Sequence, residues 1–173
     1  MKRRKSYGFS LRCASVPALA IALLLFIGCS QQASATEGPF AELPGTWSGT
    51  GKIRVGDATE RIRCRATYRL SGEHDVNLEL TCASDTYKFD LVGDFTADEG
   101  NNISGRWTER SRNVGGAAIG TARGGRFQIH VESSAFSGNL GMVTKNRRQS
   151  VAIDTQGGGQ KAEASITLSR ASQ

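Results

Sequence analysis

Arg61-Ile62-Arg63-Cys64-Arg65-Ala66-Thr67-Tyr68-Arg69-Leu70 runs into Ser71-Gly72-Glu73-His74-Asp75 and out through Val76-Asn77-Leu78-Glu79-Leu80-Thr81-Cys82. In the first run Ile62, Cys64, Ala66, Tyr68 and Leu70 alternate with Arg61, Arg63, Arg65, Thr67 and Arg69. In the last, Val76, Leu78, Leu80 and Cys82 alternate with Asn77, Glu79 and Thr81. Such period-two alternation marks strands with one face in a core and the other in water. The five residues between are turn formers, so the stretch predicts an antiparallel hairpin centred on Glu73. That centre sets Cys64 opposite Cys82 on the inner face. Directly opposed Cβ atoms lie about 4.5–5.5 Å apart, within modest adjustment of disulfide geometry. A bond closing a loop of this size contributes about 3 kcal/mol in the chain-entropy picture. A metal suits the pair less well, because neither Cys has a second ligand at Cys-x-x-Cys or Cys-x-x-His spacing.

The same texture continues along the chain. Strands are predicted at Trp47–Val55, Glu60–Leu70, Val76–Ala83, Tyr87–Thr96, Ile103–Ser111, Val114–Ala122, Arg126–Ser133, Phe136–Thr144, Gln149–Asp154 and Ala164–Ser169. Turn chemistry separates them at Gly56-Asp57, Asp98–Asn102, Gly124-Gly125 and Gln156–Gly159. No segment of the domain carries a 3.6-residue apolar period. The expectation is an all-β fold, an antiparallel up-and-down meander of about ten short strands, closed or nearly closed into a barrel. At 173 residues the chain holds one such domain, over 40–173.

The residues before it read as an export signal. Lys2, Arg3, Arg4, Lys5 and Arg12 form a basic lead, and the apolar run Val16–Ile27 follows. That run is short for a membrane span of roughly 20 residues. Two cleavage points compete. Phe26-Ile27-Gly28-Cys29 resembles a bacterial lipobox, which implies lipidation of Cys29, a signal peptide of 1–28 and a polar tether over 29–39. Ala33-Ser34-Ala35 is an ordinary small-x-small site with cleavage after 35. In either case the expected place is the periplasm, or a lipid anchor on the outer membrane of a Gram-negative bacterium, with no transmembrane helix in the mature chain. An oxidising compartment suits the Cys64–Cys82 pair. Five of the 22 basic residues precede Cys29 and no acidic residue does, leaving 17 basic against 16 acidic ones. Global attraction of the mature chain to a polyanion such as nucleic acid is therefore weak, and no nucleic-acid partner is expected.

Two Gly-x-Trp elements recur, Gly45-Thr46-Trp47 and Gly105-Arg106-Trp107. A Trp beginning a strand can plug a barrel end, so Trp47 and Trp107 are read as barrel plugs. Gly45-Thr46-Trp47 resembles the opening signature of lipocalin-type barrels, which implies a lipocalin-like closure. The wider run Pro39-Phe40, Gly45–Gly49, Arg61–Ala66, Leu80–Ser84 and Tyr87-Lys88-Phe89 is similar to small exported proteins of alphaproteobacteria. That likeness implies no activity. Small disulfide-bonded inhibitors of exported proteases share the outline of an early Trp.

Catalytic signals are sparse. The two histidines are His74, in the predicted turn, and His130, at the outward phase between Ile129 and Val131. Neither has a nucleophile or carboxylate at a recognisable spacing. Gly115-Gly116 and Gly157-Gly158-Gly159 open no helix, so they read as turns rather than phosphate cradles. No cofactor, metal or catalytic role is therefore expected.

Two surfaces stand out. On the outward phase Lys52, Arg54, Arg61, Arg63 and Arg65 make a candidate anion-binding patch for lipid headgroups, an envelope surface or an acidic protein partner. A turn over Gly56–Thr59 places Arg54 opposite Arg61 and Lys52 opposite Arg63. On the inward phase, small positions (Gly49, Gly51, Gly93, Gly105, Gly116, Ala118, Gly120) mix with large apolar ones. They either bend the strands or leave a pocket. The function expected is a non-catalytic binding or interaction module. Inhibition of exported proteases and transport of a small apolar ligand are the alternatives.

Overall fold

The computed structural model describes residues 38–171. The expected signal, its cleavage points, Cys29 and the tether up to residue 37 lie outside the described residues. Ten strands form: β1 (Gly45–Val55), β2 (Ala58–Leu70), β3 (Asp75–Ala83), β4 (Lys88–Ala97), β5 (Asn102–Glu109), β6 (Val114–Arg123), β7 (Arg126–Ser133), β8 (Ser137–Lys145), β9 (Arg148–Gly157) and β10 (Gln160–Arg170). Each pairs antiparallel with its neighbour in sequence, and β1 pairs with β10 from Trp47↔Arg170 to Val55↔Ala162. The meander is a closed barrel, which leaves no exposed sheet edge. Among the described residues no helix is long and apolar enough to cross a membrane.

The β2–β3 hairpin has the register read from its alternation. Cys64 pairs with Cys82, their Cα atoms are 4.1 Å apart, and the sulfurs are joined in a disulfide on the buried inner face.

The β1–β2 hairpin differs from the expectation. Its turn is two residues, Gly56 and Asp57, with Gly56 at φ +58°. A Gly at the first central position of a two-residue loop follows the twist of the flanking strands, so Ala58 and Thr59 join β2. The register moves by two residues. Lys52 faces Arg61, Arg54 faces Thr59, and Arg63 faces Thr50.

The β9–β10 hairpin is also tighter than expected. Only Gly158 and Gly159 turn, at φ +56° and +75°, so β9 extends through Gly157 and β10 begins at Gln160. β5 ends at Glu109 rather than Ser111, for a reason given below.

The inward glycines serve the wall. A Cβ on Gly49 or Gly51 would run into the backbone carbonyls of Thr167 or Ser165 on β10. Only glycine lets the two strands approach so closely where the barrel bends.

Candidate functional site

The two ends of the barrel are built differently. Residues 38–43 fold as turns beneath β1 and insert Phe40 and Leu43 between the strand ends. Phe40 stacks on Phe127, with ring centroids 6.2 Å apart. Trp47 is 0% exposed, and its Nε1 donates to the Leu43 carbonyl at 2.8 Å. The Arg170 guanidinium lies 4.7 Å over the Trp47 ring and donates to the Glu42 carbonyl. Cation–π contact and hydrogen bonding thus tie the last strand to the inserted turn. This end is sealed.

Just inside the seal is a buried polar chain. Tyr68 donates to Gln149 Oε1 at 3.2 Å, and Gln149 Nε2 donates to Thr144 Oγ1 at 3.1 Å. Burial pushes the Tyr68 phenol far above the ordinary tyrosine range, with the Gln149 hydrogen bond opposing it. Tyr68 is therefore a neutral donor at any physiological pH.

Toward the opposite end, the inward-phase side chains are apolar and only partly covered. Val55, Leu80, Phe89, Leu140, Val151 and Ala164 all point inward, yet none is fully buried. In a filled barrel these positions would be sealed by one another. Their residual exposure leaves accessible apolar surface on the inner wall. The Phe95 ring occupies the places that Cβ atoms on Gly93 and Gly105 would take.

Trp107 lies toward this second end, two residues before β5 finishes. Its Nε1 donates to the Ala117 carbonyl at 3.1 Å, and its ring packs 5.4 Å from Phe136. The two Gly-x-Trp indoles thus sit toward opposite ends, and the inserted turn of residues 38–43 accompanies Trp47 alone.

At the rim of the second end, Glu109 faces inward and is 6% exposed. Its Oε1 accepts from the backbone N–H of Asp90 at 3.0 Å and Ser111 at 3.2 Å, and its Oε2 accepts from Arg112 N–H at 2.8 Å. The Ser111 hydroxyl also donates to it. Burial works to raise its pKa, but these donors outweigh burial and hold the carboxyl at about 2. The carboxylate gathers the chain into a turn at Ser111, which is why β5 stops there. Four hydrogen bonds to its two oxygens tie the carboxylate into the turn.

The histidines are far from this group in role. His130 is exposed, with Nδ1 3.0 Å from Asn139 Oδ1. His74 is only partly solvated, in contrast to the open turn residue expected; its Nδ1 is buried without a hydrogen-bond partner among the described residues. No cluster of three or more His, Cys, Asp or Glu side chains suited to a metal exists among the described residues.

On the outer wall, Arg54 is drawn to Glu163, which also holds Lys161 at 2.7 Å. Hydrogen bonds from Lys161 and then Arg54 lower the Glu163 pKa. Lys52, Arg61, Arg63 and Arg65 form no ion pair among the described residues. Arg54 therefore belongs to a neutralised row, and four of the five patch residues remain uncompensated.

No family model matches the chain, and no curated protein matches it. Solved structures do. The S-type phycobiliprotein lyase CPES from Guillardia theta superposes with a TM-score of 0.62 at 12% identity, over 78% of this chain and 91% of that one. The fold is a lipocalin-like barrel. The structure of EF1p2_mFAP2b bound to DFHBI aligns with a TM-score of 0.47 at 12% identity, over 75% of this chain and 94% of that one. Identity this low carries the fold and nothing of the site.

Proposed function

We propose that this protein is an exported, non-catalytic binding module whose barrel lumen takes a small apolar ligand through the end opposite Trp47. The observation that carries the reading is the asymmetry of the interior. One end is closed by Phe40, Leu43 and Trp47, while the apolar wall beyond it keeps contact with solvent. Apolar concave surface with a single entrance is the usual form of a small-molecule site. The fold shared with the phycobiliprotein lyase fits such a use, and the non-catalytic half rests on the lack of any paired acid, base or nucleophile around the lumen among the described residues. Export rests on the basic lead, the apolar run and the small residues before Thr36.

The test uses 1-anilinonaphthalene-8-sulfonate as an apolar probe and the variant Ala164→Trp. Ala164 points inward on β10, is half-buried, and faces Ile53 and Ile153 across its strands. A Trp there fills the lumen without touching the sealed end. Saturable one-to-one fluorescence enhancement in the wild type, lost in Ala164→Trp at unchanged circular dichroism, is the expected result. Equal enhancement in both proteins, or none in either, removes the lumen as the site. The mass of the mature N-terminus from the native host separates cleavage before Cys29 from cleavage after residue 35.

A further inference from the structure

The outer wall over β7, β8, β9, β10 and β1 carries a depression of about 770 Å³. Its floor is small and uncharged: Thr50, Gly141, Ser150, Ala152, Ser165 and Thr167. Gly141 matters most to its depth, because the space a Cβ would occupy there holds no other atom within 4 Å. Lys52 and Arg61 rise along one side, and Arg126 rises along the other.

The register explains this arrangement. Lys52, Ser165, Ala152, Gly141 and Gln128 are successive partners across β1, β10, β9, β8 and β7. The neighbouring row runs Arg63, Thr50, Thr167, Ser150, Val143, Arg126 and Arg123. Long cations therefore stand at both ends of the second row, and Lys52, with Arg61 across from it, stands at one end of the first, whose far end is Gln128. None of Lys52, Arg61, Arg63, Arg126 or Arg123 forms an ion pair among the described residues. The acids of the adjoining row are Glu163 and Asp154, and the Glu42 carboxylate lies near Gly125 beside Arg126. Glu163 is engaged by Arg54 and Lys161, and Asp154 accepts from Asn139. Lys52 and Arg61 also face one another directly, an arrangement unfavourable without a counter-charge between them.

We infer that this saddle is a binding site for a linear polyanion without bases, an acidic polysaccharide or polyphosphate chain lying across the strands. Charge complementarity selects an anion, and the Thr50, Ser150, Ser165 and Thr167 hydroxyls offer neutral donors beneath it. The span selects a chain. Lys52 and Arg126 are four strand spacings apart, about 19 Å along the wall, so one small anion cannot engage both flanks. No Phe, Tyr or Trp side chain lies on the outer face of these five strands, and the one imidazole there, His130, lies a row beyond the floor and is hydrogen-bonded to Asn139, so the floor itself offers no platform on which nucleic-acid bases would stack. A flat bilayer would meet the raised cations and leave the recessed floor empty.

The experiment measures binding of heparin, as a sulfated probe, and of long-chain polyphosphate to the mature protein over a range of salt. Wild type is expected to bind both, with log affinity falling linearly in log salt. The near-flank variant Lys52→Glu/Arg61→Glu and the far-flank variant Arg126→Glu are each expected to weaken binding about tenfold or more. Arg69→Gln, at the far end of β2 and paired with Glu79, should leave it unchanged. A heparin disaccharide, too short to bridge the flanks, should bind weakly and respond to only one of the two variants. The substituted positions are exposed, and unchanged thermal midpoints identify the losses as binding losses. Loss of naphthalenesulfonate uptake has no bearing here, because the saddle is on the opposite face of the wall from the lumen. Insensitivity to Arg126→Glu would overturn the inference, since one flank alone does not make the site. Binding to vesicles of three parts phosphatidylcholine to one part phosphatidylglycerol without binding to either chain would overturn it in favour of a membrane surface. Preference for oligo-dT over both chains would overturn it in favour of nucleic acid.

Discussion

Gln149 is fully buried and bridges two hydroxyls, so replacing it gives the sharpest test of how the sealed end is held. Gln149→Leu keeps a side chain of similar bulk and removes both hydrogen bonds. Tyr68 OH then retains only the Met142 sulfur at 3.8 Å, a weak acceptor. Leaving such a group buried and unsatisfied costs about 1–3 kcal/mol. The loss at Thr144 is smaller, because a hydroxyl can redirect its donor and acceptor capacity. Gln149→Leu is therefore expected to destabilise by about 2–3 kcal/mol. Tyr68→Phe leaves Gln149 Oε1 without its donor and should cost about 1–2 kcal/mol. The double variant has no orphan at that contact, so its loss should fall short of the two single losses added together, by about 1–2 kcal/mol. Urea unfolding followed by the fluorescence of Trp47 and Trp107 reads these differences, since both indoles are buried. Single losses that add to within about 0.5 kcal/mol would show that Tyr68 and Gln149 share no bond in solution, and the account of this end would be wrong.

Lys52→Glu converts the Lys52–Arg61 pair from repulsive to attractive and should raise stability by about 0.5–1 kcal/mol, seen as roughly 2–4 °C in the thermal midpoint; a lowered midpoint would contradict the register of the first hairpin. Glu109 has a folded pKa of about 2 against an ordinary 4.5. Its contribution to stability is complete above about pH 4.5 and disappears as pH falls through about 2. Thermal midpoints from pH 2 to 7 should therefore decline less steeply on the acid side in Glu109→Gln than in wild type, from a lower value at neutrality. Parallel profiles would remove the role given to that carboxylate. Native protein should resist thiol labelling without reductant, and Cys64→Ala/Cys82→Ala should lose about 3 kcal/mol. Labelling of both cysteines in the folded oxidised protein would mean the β2–β3 register is incorrect.

The strands were legible because ten separate segments each sort large apolar and polar residues into two phases, and the sheet obeys that sorting almost everywhere. The register of the second hairpin was legible, because its turn cluster centres on Glu73 and so sets Cys64 opposite Cys82. The first was not, because Ala58 and Thr59 carry no phase information and fit a turn as readily as a strand. Likewise the β8–β9 turn is made by Asn146 and Arg147, at φ +50° and +62°. Nothing about an arginine advertises a left-handed turn. Its cost is offset locally, since Arg147 donates to the Ala171 carbonyl at 2.9 Å and accepts from Arg170 N–H at 3.0 Å. Arg170 was equally silent: a polar residue after Ser169 looks like solvent-facing chain until the barrel closes and brings Trp47 beneath it. The full outer saddle was hidden for the same reason. Lys52 and Arg61 are neighbours across one hairpin, whereas Arg126 joins them only through three intervening strands.

The polar residues that alternation misplaces also bear on what the lumen can recognise. Tyr68, Thr144 and Gln149 sit on the inward phase, but their hydrogen bonds are made to one another at the sealed end. Glu109 is inward too, yet its acceptors are taken by backbone donors at the rim. Between these two polar stations the wall is Leu78, Leu80, Leu91, Ile129, Leu140 and Ile153, which offer no donor or acceptor from their side chains. On the proposed reading, a ligand entering from the end opposite Trp47 passes Glu60 and Thr155 on the inward phase near the entrance and then meets apolar side chains. Polar analogues of an apolar ligand would gain nothing here and would lose hydration on entry. If both proposals hold, selection in the lumen rests on length and cross-section and selection outside on charge. The wall is apolar on one face and charged on the other, and the period of two that separates them is the same feature that made the strands readable.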